Sequence, residues 1–139
     1  MLLHRKATHL ATPSARRLTG FALFCAALLC ATFLLPPRWA VLLVIAPVLE
    51  EIVLRAGLQE ALLRRLASHG TAAAAANLAC AIAFAAAHWM LRPGAFAALT
   101  LVPALWLGWV YQRNRCVAPC ITHHAAMNAL WLLWLAGTP

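Results

Sequence analysis

Residues 46–55 read Ala46-Pro47-Val48-Leu49-Glu50-Glu51-Ile52-Val53-Leu54-Arg55, two adjacent carboxylates and a guanidinium inside the apolar stretch from Trp39 to Leu58. An ionisable group inside a bilayer costs about 2.5–3.5 kcal/mol on insertion scales, so this segment needs partners. On a helix Arg55 stands four residues after Glu51, on the same face, where the two can pair. Glu50 points about 100° away from Glu51 and is free to face something else. The rest of the chain decides where such a helix sits. Its 139 residues are 65% hydrophobic and 10% charged, with a mean hydropathy of +0.82, whereas a soluble domain keeps about 25% charged residues. The composition excludes an ordinary soluble globule and predicts an all-α, polytopic transmembrane helix bundle. At about 20 residues per crossing, the length holds about five spans and no separate soluble catalytic domain.

Outward from this stretch, the predicted spans are Leu18–Leu35, Trp39–Leu58, Thr71–Leu91, Ala95–Tyr111 and Pro119–Leu135. Pro47 and Pro119 are the places where these helices are expected to break. Residues 1–17 form a basic segment ahead of a single core domain, residues 18–139. The first apolar run resembles a signal peptide, but no Ala-x-Ala-like site precedes Pro36, which favours a retained span. With the N-terminus inside, Arg5, Lys6, Arg16, Arg17, Arg64, Arg65, Arg113 and Arg115 fall on the cytoplasmic side and only Arg38 and Arg92 outside. That asymmetry predicts an integral, multi-pass protein with a cytoplasmic N-terminus, and the bacterial inner membrane is its expected residence. Cations placed singly or in pairs between apolar runs read as topology signals, so no nucleic-acid partner is expected. The five cysteines lie in or next to apolar runs without a Cys-x-x-Cys, as buried reduced thiols do.

Chemistry must come from what is polar inside the spans: Glu50, Glu51, Arg55, His88, His123, His124 and Asn128. Phe84-Ala-Ala-Ala-His88 stacks an aromatic ring and an imidazole on one helix face, and His124-Ala-Ala-Met-Asn128 does the same for an imidazole and an amide. Each motif alone is ordinary. Brought together they would supply a carboxylate to accept a proton, an imidazole to orient water, and a His and amide donor pair for an oxyanion, the parts needed to hydrolyse an acyl bond. Straight helices would hold His88 and His124 roughly 10–15 Å apart in depth, so convergence is expected to need bending at the prolines. Zinc would need three ligands and an open position; Glu50, His88 and His124 could supply them, but there is no His-Glu-x-x-His and adjacent His123 and His124 diverge.

The three motifs, Glu50-Glu51-Ile-Val-Leu-Arg55, Phe84-Ala-Ala-Ala-His88 and His124-Ala-Ala-Met-Asn128, resemble in order and spacing those of the CPBP family over roughly Ala46 to Leu130. That family comprises type II CAAX prenyl endopeptidases and bacteriocin-processing or self-immunity proteins, classed as intramembrane glutamic proteases. The resemblance implies a metal-independent endopeptidase without cofactor. Glu50 would activate water and His88 position it, His124 and Asn128 would form the oxyanion hole, and Glu51 and Arg55 would hold the glutamate helix, with Phe84 in support. Typical members have about eight spans; this chain is similar to the catalytic core alone, as in the short, myxosortase-like proteases of C-terminal sorting signals. The expected substrate is a lipidated or C-terminally anchored membrane protein, with a partner subunit or a second copy filling out the bundle. The competing reading is a non-enzymatic immunity or binding factor, or a small proton-coupled transporter of the same fold.

Overall fold

A computed structural model describes residues 13–67 and 71–137. Arg5 and Lys6 of the basic segment, and His4, His9 and His69, lie outside the described residues. The described residues form five helical rods and no strand: α1 (Pro13–Leu34), α2 (residues 37–65), α3 (Ala72–Leu91), α4 (Ala95–Asn114) and α5 (Val117–Gly137). Two of them, Ala72–Leu91 and Ala95–Asn114, are long and apolar enough to cross a membrane.

The turns between rods follow local chemistry. Pro36-Pro37 separates α1 from α2, with Pro37 in the first helical position, where its missing N–H costs nothing. Gly94, before α4, has φ 148°, a conformation that L side chains rarely adopt. Pro103 removes the N–H that would bond Leu99, and α4 accordingly steps at Thr100 before Ala104 resumes the ladder on the Thr100 carbonyl at 3.1 Å.

Proline does not break α2. The rod runs α-helical over Pro37–Ala40, π-helical over Val41–Ile45, α-helical over Ala46–Glu51, π-helical over Ile52–Gln59 and α-helical again over Glu60–Arg65. Pro47 falls in the first turn of the Ala46–Glu51 segment, just after the wide turns. The interruption expected there is a change of register inside one rod, a π-bulge of the kind that collects at functional sites. Pro119 likewise lies in the first turn of α5 and interrupts nothing.

Helices α2 to α5 close a ring in which α3 packs on α4, α4 on α5, and α2 crosses both ends: its first half lies on α5 and its second on α3. Among the described residues, α1 packs on the opening turns of α2. Small residues line the contacts, with Ala76, Cys80, Ala81, Ala104 and Cys120 wholly enclosed, letting the backbones approach closely. Polarity runs opposite to that of a soluble protein. Glu51, Arg55 and Gln59 are 0% exposed, while Phe33 and Met90 are 83% exposed and Val102 68%. An outer face of bare apolar side chains around a charged interior suits lipid as the surrounding solvent.

Candidate active site

The site is built where α2 passes from one neighbour to the other. Glu51 faces inward and Arg55, one turn later, donates Nε to Glu51 Oε2 at 2.9 Å. Gln59, a further turn on, accepts from Arg55 Nη1 at 3.1 Å. This file of three docks on α4 through its backbone: Arg55 Nη2 donates to the Ala104 carbonyl at 3.0 Å and Gln59 Nε2 to that of Gly108, also at 3.0 Å. Asn77 of α3 joins by donating Nδ2 to Leu105 at 3.0 Å. Gly108 makes this approach possible, since a Cβ there would stand 1.8 Å from Asn77 Oδ1 and 3.1 Å from Arg55 Nη1. Three carbonyls of an apolar helix are thus read by polar side chains, so the guanidinium is hydrogen-bonded on all sides.

The histidine of α5 completes the cluster. His124 Nδ1 donates to Glu51 Oε1 at 2.9 Å, and Nε2 lies 3.5 Å from Glu50 Oε2. The second contact is close enough for charge attraction but is not aligned as a hydrogen bond, which leaves Glu50 Oε2 buried and unpartnered. His124 and Arg55 thus both face the adjacent carboxylates, so the charged groups of α2 are partnered inside an apolar interior.

Glu50 turns the other way, as its 100° offset requires. Its side chain is one-third exposed and lines a cleft of about 310 Å³ with His88, Phe84, Leu49, Val53 and Ala87. His88 Nδ1 lies 3.0 Å from the Phe84 carbonyl, and because a carbonyl only accepts, that nitrogen carries the proton. In the neutral ring Nε2 is therefore an acceptor. The Phe84 ring touches both imidazoles, with centroids 4.2 Å from His88 and 5.8 Å from His124. The separation in depth expected between the two histidines is bridged by this ring and by the crossing of α2, without broken helices.

Asn128 is on the same face of α5 as His124, yet its Nδ2 donates to the Leu42 carbonyl at 2.8 Å. His123 is turned away, bonded to the Pro119 carbonyl at 2.7 Å. Among the described residues no three His, Cys, Asp or Glu side chains form a group that could hold a metal ion. Glu50, Glu51, Arg55, Phe84, His88 and His124 thus meet in one place, and Asn128 reaches α2 at Leu42, eight residues before Glu50. Gln59, Asn77 and Gly108 went unnoticed in the sequence. The spacing of Gln59, four residues after Arg55, was the one signal for them, since the other two act through partners on neighbouring helices.

Comparison with protein families matches residues 31–130 to the family described as type II CAAX prenyl endopeptidase Rce1-like. The chain belongs to this family. The match takes in α2 to α4 and α5 as far as residue 130, and leaves out nearly all of α1, in keeping with the peripheral place of that helix. Rce1-like proteins are membrane-embedded proteases, and the expected membership of the wider CPBP group agrees with the match. No curated protein and no solved structure matches the chain.

Proposed function

We propose that this Rce1-like chain is an intramembrane glutamic endopeptidase in which Glu50 is the general base. The observation that carries the reading is the division of labour between two adjacent glutamates: Glu51 is saturated by Arg55 and His124, while Glu50 lines the cleft with one oxygen unpartnered. Glu50 accepts a proton from a water whose other hydrogen is held by His88 Nε2. The hydroxide attacks the scissile carbonyl carbon, and the oxyanion is met by the His124 imidazolium, with the second Nδ2 hydrogen of Asn128 as a further donor. The proton on Glu50 then passes to the amide nitrogen as the carbon–nitrogen bond breaks.

The cleft supports the proposed substrate class. Leu49, Val53, Leu54 and Leu91 make it apolar beside the reacting carboxylate, which suits a peptide next to a lipid or a membrane anchor, as in CAAX-type or C-terminal sorting-signal processing. Residence in a bacterial inner membrane is part of this proposal, and the distribution of Arg and Lys supports a cytoplasmic N-terminus.

The test is cleavage of co-expressed membrane-anchored precursors, read by intact mass at matched membrane levels of each variant. Glu50→Gln is expected to lower turnover by about 10²–10⁴-fold, the usual worth of a general base, without altering membrane accumulation. His124→Ala is expected to abolish cleavage too. Products unchanged by both variants would sink the protease reading and leave a binding or transport role for the same fold.

A further inference from the structure

Two odd features of α2 and one of α5 meet at a single atom, the Leu42 carbonyl oxygen. In the wide turn the Ala46 N–H bonds the Val41 carbonyl, five residues back, and so is spent. The next N–H in that register would come from residue 47 and would serve Leu42, but residue 47 is proline. Leu42 therefore lacks the backbone donor that the wide register would give it, at the junction five residues before Pro47. Asn128 Nδ2 donates to it at 2.8 Å. A carbonyl can only accept, so the amide is oriented with its nitrogen inward.

We infer that Asn128 is a positioning residue, a side-chain substitute for the N–H that Pro47 lacks, which locks the π-to-α junction of α2 and thereby aims Glu50 into the cleft. His124 and Asn128 lie four residues apart on one face of α5 and grip α2 on both sides of Pro47: Asn128 holds Leu42 ahead of it, and His124 holds Glu51 behind it. Between these two points the chain has no freedom to slip from the wide register into an ordinary α-helix, a slip of one residue that would swing Glu50 by about 100°. The bearing of this clasp on catalysis rests on the function proposed above; the clasp itself does not.

A double-mutant cycle separates it from any duty at an oxyanion. Alanine at position 47 restores a backbone N–H able to reach Leu42, so the loss of Asn128 should matter only while proline is there. Amide hydrogen exchange of purified protein in detergent is read on peptides covering residues 41–51 in the wild type, Asn128→Ala, Pro47→Ala and the double variant. Removing Asn128 is expected to speed exchange there about tenfold in the wild-type background, as for one lost hydrogen bond that no backbone N–H replaces, and less than about twofold in the Pro47→Ala background. The cost of deleting the buried proline ring is common to both arms and cancels. Equal acceleration in both backgrounds, or none in either, overturns the inference. Should Asn128→Ala fail to accumulate, recovery of folded protein in the double variant supports it and failure of both overturns it. Precursor cleavage by the same four proteins adds the mechanistic side: turnover lost in Asn128→Ala is expected to return in the double variant, and loss in both without any change in exchange would mark Asn128 as an oxyanion donor alone. If Glu50→Gln leaves cleavage intact, the protease reading fails while the exchange result still stands.

Discussion

At the scale of single residues, the adjacent pair Glu50 and Glu51 shows how one residue of helical offset separates a structural group from a reactive one. Glu51 and Arg55 are both 0% exposed, so each depends on the other for the charge it keeps in an apolar interior. Arg55→Ala leaves a buried carboxylate facing His124 alone and opens the Ala104 and Gln59 contacts. The expected cost is about 3–5 kcal/mol, measured as reversible unfolding in detergent or, where no folded protein accumulates, as its absence from the membrane fraction. A loss below about 1 kcal/mol would mean that water reaches the pair. The Glu51–Arg55 pairing was legible in the sequence because both partners lie on one helix, four residues apart. The contact of His124 with both glutamates was not, because it joins residues 73 positions apart and depends on how two helices cross.

Elements explain the remaining gap between sequence and structure. A proline in an apolar run reads as a break, and Pro47 was expected to be one, yet α2 continues through it by widening its turns. The missing N–H can be absorbed when a neighbouring helix supplies a donor, and that neighbour has no mark near Pro47 in the sequence. Contact between α3 and α4 has a similar hidden requirement. Gly108 leaves room for Asn77 and Arg55 to reach the α4 backbone, so Gly108→Ala is expected to expel the Asn77 amide, break its bond to Leu105 and cost about 1–3 kcal/mol, the range for overpacking. The check is the shift in unfolding midpoint, and Gly108→Ala combined with Asn77→Ala should recover part of it; full additivity of the two losses would contradict the steric account.

Across the whole molecule, charge and hydropathy set two different things. Unequal loop charges predict orientation, while the apolar outside and polar inside define the solvent. Cys116 is exposed next to the Arg113 and Arg115 loop, on the side expected to be cytoplasmic. In a background with the other cysteines replaced by alanine, a membrane-impermeant maleimide added to intact cells should leave Cys116 unlabelled and should label a cysteine placed at Arg92. The reverse pattern would overturn the orientation. Composition alone was enough to establish an all-helical membrane chain, since that conclusion follows from how many charges it can keep wet. Motif spacing was enough to single out Glu50, Glu51, Arg55, Phe84, His88 and His124, the six side chains that come together, because three- and four-residue steps hold within any helix. Which glutamate is saturated and which faces the cleft, and what satisfies Leu42, were decided only by the tertiary structure. These depend on the crossing of α2 with α3 and α5, a rigid-body relation between helices that no local periodicity encodes.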